Sequence, residues 1–471
     1  MPRLLFGPWE PDKPPSLTES LATALNVYAG PNGYRPIKQF SAASGGVLPA
    51  TCHGAGSFVA PQGASTIVAG TQDALYRAQL NGWDEIGNGY GLQEDGRWRF
   101  AQFGGLAIAT NGSDAMVKVN LTTTEVAPLA GSPPKARNLM VVKDFLVALV
   151  LNGDVQTLGW SGINNAEWWT YGQNQSDYQI MPSGGEITGG FGGEVGIVLQ
   201  RGRITRMTYV GDNVVFQFDE ISSNIGCVSM NSTAQWGTLG FFLSDTGFMM
   251  WDGAGLKPIG HERVDRYFST LYSHTSLSRM STAIDPINSI VAWSMQDRML
   301  LYNWTLDRWT VSDLTASIIF PGYTRDIALD ELDAPYPVLD GMPVSLDDPF
   351  FKGGDPRFYV IDTDDTLGTL AGTNMAASLV GNAVEMAPGR EARIQRARPI
   401  SDAEAPTLGI ATTQRLGQAY SSNNYSSLTD SGDFEVRERG RFAKFSMSMA
   451  AGAAWTFAQG LDVEAVGGAR R

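Results

Sequence analysis

The chain has 471 residues, a formal net charge of −14, 54 glycines and two cysteines. That length can bury a large core, and glycine well above the usual ~7% share favours turn-rich β structure. Two cysteines exclude a disulfide framework or a cysteine zinc site, no stretch approaches the ~20 apolar residues of a membrane span, and an acidic balance argues against ordinary phosphate-binding to nucleic acid.

The first residues lack the basic patch and apolar run of a secretory leader, so a soluble chain in a reducing compartment is expected. Residues 1–48 read as an N-terminal arm. Gly7-Pro8-Trp9-Glu10-Pro11-Asp12-Lys13-Pro14-Pro15 is rich in proline, which favours extended backbone and cannot donate to a ladder. Ser16 to Asn26 is expected to form one short helix, followed by turn chemistry through Gly30-Pro31-Asn32-Gly33. Trp9, Tyr28 and Tyr34, with Arg35, are the candidate anchors by which the arm would dock on a neighbouring ring or subunit.

Residues 49–384 repeat one unit, an apolar run, a polar turn and a second apolar run. Ile290 to Trp293 turns at Gln296 to Arg298 into Met299 to Tyr302 and then Trp309 to Val311, a strand meander. The same grammar surrounds turns centred at Gln72, Gly112, Gly153, Gly202, Thr246, Asp297 and Asp355, spaced 40, 41, 49, 44, 51 and 58 residues apart. Four-stranded propeller blades recur at roughly 40 to 50 residues, so the expected fold is all-β, a propeller of about six to seven blades. Stacked sandwiches are the competing reading.

Within this region Trp160, Trp168 and Trp169 cluster beside Ser161-Gly162-Ile163-Asn164-Asn165. Packing between blades is the favoured reading of these tryptophans, with a sugar-stacking platform as the alternative. His261-Glu262-Arg263-Val264-Asp265 lacks the second histidine of a zinc-protease helix. Asp362-Thr363-Asp364-Asp365 reads as a solvated hairpin turn before it reads as a cation site.

Residues 385–471 shift to longer alternating strands, such as Phe445-Ser446-Met447-Ser448-Met449, Trp455-Thr456-Phe457 and the Leu461, Val463 pair. An antiparallel β-sandwich-like domain is expected here. This piece has a net charge of +1, leaving −15 on residues 1–384. Arg437, Arg439 and Arg441 are the candidate subunit-contact residues, accompanied by Arg390, Arg393, Arg396, Arg398 and Lys444. Their alternatives are pairing with an acidic neighbour or a solvated face.

No chemistry-bearing motif is found. His53, His261 and His274 lack metal-ligand spacing, and Gly-x-Ser-x-Gly, P-loop and dinucleotide motifs are missing. No cofactor or metal is expected, nor is catalysis.

Several segments resemble the tail hub, or nozzle, proteins of short-tailed bacteriophages, also called packaged-DNA stabilisation proteins. They are Asn26-Val27 with Gly33-Tyr34-Arg35-Pro36, Trp98-Arg99-Phe100-Ala101-Gln102-Phe103-Gly104 leading to Ala109-Thr110-Asn111-Gly112, and Ser161-Gly162-Ile163-Asn164-Asn165-Ala166-Glu167-Trp168-Trp169. Arg439-Gly440-Arg441-Phe442 and Trp455-Thr456-Phe457-Ala458-Gln459-Gly460 complete the set. The resemblance implies a virion tail protein, assembled in the host cytoplasm as a homo-oligomeric ring, usually a hexamer, below the portal and adaptor rings. Such a ring would extend the channel through which genomic DNA passes without sequence-specific binding, help retain that DNA, and anchor the tail needle, spikes or fibres. The competing expectations are a carbohydrate-binding propeller acting through Trp160, Trp168 and Trp169 and, behind it, a glycan-cleaving enzyme.

Overall fold

The computed structural model describes residues 3–15, 19–79, 82–211, 214–324 and 356–468. The described residues are all-β, apart from one short helix, Asp265–Leu271, and two 3-10 turns. Their centre is a β-propeller-like arrangement of seven four-stranded antiparallel units. In chain order the first strands are Gly54–Val59, Arg99–Phe103, Ala136–Val142, Ile187–Phe191, Ala234–Trp236, Ser281–Asp285 and Ile318–Tyr323. In the first six units, three further strands follow as a simple meander. The third unit shows why. Phe145–Leu151 is buried along its whole length, and Asn152 (φ 50°) and Gly153 (φ 86°) supply the two left-handed residues that a tight hairpin requires before Asp154–Trp160.

The seventh unit is built differently. Ile318–Tyr323, Pro356–Ile361 and Thr366–Thr369 are completed by Ser41–Val47 from the start of the chain, which pairs with Thr366–Thr369. In the first six units the repeated turns lie between second and third strands, and the equivalent turn here is Asp362–Asp365. The expected seventh centre, Asp355, lies outside the described residues. At Asp362 the carboxylate accepts the N–H groups of Asp364 and Thr366, both at 2.9 Å, so the acidic run is a self-satisfied turn.

Each junction between consecutive units is filled by an apolar cluster, the fifth continuous with the core of the C-terminal body, and the series returns to its start. Phe58, Val68 and Trp98 fill the first junction, and Ile108, Leu146 and Trp169 the second. Phe145, Trp160 and Phe216 fill the third, and Phe191, Phe242 and Trp251 the fourth. Phe248, Trp293 and Trp309 fill the fifth, and Ala292, Leu301 and Val360 the sixth. Tyr76, Phe320 and Tyr359 join the seventh unit to the first, where the Tyr323 N–H also donates to Ser57 Oγ at 3.2 Å.

Two glutamines reinforce this seriality. Gln102 in the second unit accepts from Val59 N–H at 3.2 Å and donates to Val59 C=O at 2.6 Å. Gln235 in the fifth treats Gly192 in the same way, at 2.9 and 2.5 Å. Each sits in a matching stretch, Ala101-Gln102-Phe103-Gly104 and Ala234-Gln235-Trp236-Gly237, and its amide also reaches the carbonyl of the glycine two residues on.

The sixth unit continues into the C-terminal body. Leu21–Leu25 runs parallel to its last strand, Arg308–Ser312, and pairs on the other side with Ala377–Gly381. Phe442–Met449, Thr407–Thr413 and Ser421–Tyr425 extend the sheet, with inward residues of Phe442–Met449 alternating as expected. Facing it is a six-stranded sheet of Val27–Gly30, Gly33–Pro36, Ala458–Gly467, Ala392–Ser401 and Phe434–Gly440, with Arg3–Leu5 added to Ala458–Gly467. Leu379, Ile394, Phe434, Met447 and Leu461 lie in the shared core.

Three expectations are corrected here. The helix expected over Ser16 to Asn26 is a strand at Leu21–Leu25, because two flanking strands satisfy its backbone and bury it; residues 16–18 lie outside the described residues. The described residues up to 48 are woven into this body and into the seventh unit and do not stand off as a separate arm. Trp455 to Phe457 is a bend, since the Asp402 carboxylate accepts the N–H groups of Thr456 and Phe457 at 2.9 and 3.0 Å.

Candidate subunit-contact surfaces

Two of the four arm anchors, Trp9 and Tyr34, are committed within the chain. Trp9 is 2% exposed, donates its indole N–H to Ala22 C=O at 3.2 Å and meets Tyr267 edge-on at 5.2 Å. Tyr34 is fully buried and donates its hydroxyl to Gly7 C=O at 2.6 Å. Burial pushes the phenols of both Tyr34 and Tyr28 well above the usual tyrosine range. Arg35 is exposed but reaches Asn288 Oδ1 at 3.3 Å. Trp9 and Tyr34 therefore serve this chain's own core and offer no side chain to a neighbour.

The tryptophan cluster divides. Trp160 lies between the third and fourth units, 5.0 Å from Phe216 and donating to Gln175 C=O at 2.8 Å, and Trp169 is buried with its N–H on Ala166 C=O. Both are packing residues. Trp168 is 38% exposed, and the same region carries the exposed pair Tyr171 and Tyr178, whose rings lie 5.1 Å apart. The two tyrosines were not legible as a pair, because one is in a loop and the other in the strand Asp177–Ile180.

The arginines form a distinct surface. Along Ala392–Ser401 and Phe434–Gly440 the apolar side chains Ala392, Ile394, Ala397, Phe434 and Val436 turn inward. The alternation sends Arg393, Arg396, Arg437 and Arg439 outward, all exposed. Arg393 stands directly opposite Arg439 in the ladder. Like charges at opposed positions destabilise a sheet, and the repulsion is confined to this rung, since Arg396 stands opposite Glu435 and Glu464. At the margins Arg398 pairs with Asp433 at 2.8 Å and Arg441 with Glu385 at 2.7 Å. Those pairs hold the Asp433 and Glu385 carboxyls below their usual range, chiefly through the guanidinium hydrogen bonds. Among the described residues, Arg393, Arg396, Arg437 and Arg439 have no ion pair. Of the expected trio, Arg437 and Arg439 are thus unpaired, and Arg441 is partly neutralised.

Nothing in the described residues gathers three or more His, Cys, Asp or Glu side chains around one point. Cys52 and Cys227 are buried thiols, and burial pushes Cys52 up to about 12, so it holds its proton at neutral pH. No helix among the described residues is long and apolar enough to cross a membrane.

No family model matches the chain, and no curated protein matches it. Solved structures that it resembles include the computationally designed Ika8 protein, at 11% identity and a TM-score of 0.37 over 74% of this chain and 95% of that one. The β-propeller domain of Myceliophteria thermophila Cps50 (Swd1) is similar at 9% identity and a TM-score of 0.38, covering 61% and 92%. An extracellular domain from a B. thetaiotaomicron one component system matches at 12% identity and a TM-score of 0.42, covering 83% and 48%. Likeness at this level assigns no activity.

Proposed function

We propose that the chain is a structural subunit whose seven units close as a seven-bladed propeller, and that copies assemble into a ring of the tail-hub or nozzle kind found in short-tailed bacteriophages. The observation that carries assembly is the outward arginine face, with Arg393 and Arg439 opposed on one rung, on a chain whose residues 1–384 have a net charge of −15. A head-to-tail ring sets that basic face of one copy against the acidic body of the next and relieves the repulsion in both. The motif resemblance supplies the particular ring, a hexamer beneath portal and adaptor that extends the DNA channel and carries the distal tail parts.

Native mass spectrometry and light scattering of the purified chain test assembly. The wild type should form a closed oligomer at low salt, and Arg437→Glu/Arg439→Glu should leave folded monomers, the new carboxylate at position 439 facing Arg393 as an opposite charge. An unaffected oligomer would remove the arginine face from the interface.

A second reading, carbohydrate binding, is favoured by one feature, the exposed Trp168, Tyr171 and Tyr178. Trp168→Ala should abolish binding on a glycan array if it holds, and an array with no binding to the wild type disposes of it.

A further inference from the structure

At the middle of the seven units the first strands surround a cavity of about 300 Å³, far above the ~10–15 Å³ that admits one water. Its walls come from opposite sides of the series, including His53 and Ser57 of the first unit, Asn138 of the third, and Ser281, Thr282 and Ile319 near the sixth and seventh. Among the described residues no carboxylate lines it. Arg97 and Arg99, at and just before the start of the strand Arg99–Phe103, line it together with Trp98, which is buried at the first junction. The two guanidiniums reach across the interior. Arg97 donates to Ser278 C=O at 3.1 Å and Arg99 to Asn231 Oδ1, partners 181 and 132 residues away in sequence.

These contacts leave most of the chemistry unused. A guanidinium has five N–H donors, and among the described residues each of these arginines makes one such hydrogen bond. Neither has an ion-pair partner among them. Among the described residues, a second space of about 440 Å³ shares Arg97, Arg99 and Asn231 and is also lined by Arg137, Asp95 and the exposed Glu186. Burial lowers Arg99 to about 10, its neighbour Arg97 adding to the effect, and burial lowers Arg97 despite the opposing influence of Cys52 and Asp95. Both remain charged at neutral pH. His53 is lowered by burial and by Arg97, so it is available as a neutral imidazole and adds no positive charge.

Two partly buried cations side by side, neither with an ion pair among the described residues, are costly unless something compensates them. Being planar and forked, guanidiniums match oxyanions bidentately. We infer that the central cavity is a binding site for a small oxyanion, of the size of phosphate or a short carboxylate, held between Arg97 and Arg99 with Asn231 and Asn138 beside them. The site stands independently of the ring assembly proposed above.

The test uses the full-length protein at constant ionic strength set with chloride. Isothermal titration with inorganic phosphate, sulfate and acetate should show one site per chain, with phosphate and sulfate preferred if the site is tetrahedral and acetate if it is built for carboxylate. Arg97→Gln/Arg99→Gln should weaken binding at least tenfold, while Arg393→Gln/Arg396→Gln leaves it unchanged. Should the cavity variant fail to fold, crystals of the wild type soaked in selenate decide the matter, with an anomalous peak expected within hydrogen-bond distance of Arg99. No heat above the chloride control with any of the three anions, together with an empty cavity in the selenate map, overturns the inference. So does binding that persists in a folded Arg97→Gln/Arg99→Gln variant.

Discussion

Replacing Asn26 by alanine probes the joint between the seven-unit array and the C-terminal body. Asn26 is 2% exposed and holds φ at 57°, a conformation asparagine tolerates better than alanine. Its Nδ2 donates to Ala376 C=O at 2.8 Å, while its Oδ1 accepts from Ser312 Oγ at 2.8 Å and from the Asp313 N–H at 3.0 Å. One side chain therefore ties the end of the sixth unit to the strand region of the sandwich. Loss of three hydrogen bonds costs about 1 kcal/mol each on average, and the left-handed backbone adds about 1 kcal/mol for alanine. Asn26→Ala should thus destabilise by about 4 kcal/mol, and Asn26→Gly, which keeps the backbone but not the bonds, by about 3 kcal/mol. Urea unfolding followed by far-UV circular dichroism reads both. A loss below about 1 kcal/mol for alanine, or glycine matching the wild type, would refute the assignment of Asn26 as the tie.

Gln102→Ala and Gln235→Ala should each lower stability by about 1–2 kcal/mol in the same assay, since each frees a backbone donor and acceptor at a junction. No shift from either would show that the clamps are incidental. Asp265 gives a pH dependence. Burial, with the like charge of Asp12, raises its carboxyl to about 6, although the carboxylate accepts the Phe248 N–H at 3.0 Å. Because the folded value exceeds the unfolded one, this group's stabilisation is complete below about pH 4 and is lost as pH rises through about 6. Asp265→Asn should therefore gain about 1–2 kcal/mol over wild type near pH 7.5, a figure reduced for partial exposure, and gain nothing near pH 4. A pH-independent difference between the two proteins would contradict that sign.

The repeat was readable because each central hairpin pairs two short apolar runs across a polar turn. Phe145–Leu151 and Asp154–Trp160 announce themselves in this way, as do Ile290–Ser294 and Met299–Asn303. The closing strand Ser41–Val47 was hidden, for Ser-Ala-Ala-Ser-Gly-Gly-Val has no apolar alternation and owes its form to a partner more than 300 residues on. Leu21, Ala24 and Leu25 mimic helical spacing, and only tertiary pairing on both edges makes them a strand. The outward arginines were visible as a group, but the opposition of Arg393 and Arg439 depends on a ladder register with a bulge, which composition does not specify. Arg97 carries no sequence signal, and Arg99 enters only as part of the segment Trp98-Arg99-Phe100, with no role of its own. Their significance arises where distant strands converge, and no local spacing encodes that convergence.

Quantitative mass spectrometry of purified virus particles from the source, referenced to the portal protein, tests the hub proposal most directly. The resemblance predicts about six copies of this chain for each twelve-subunit portal, with the chain on the tail axis. Its absence from the particle would contradict the structural role and bring the exposed aromatic surface of Trp168, Tyr171 and Tyr178 to the front.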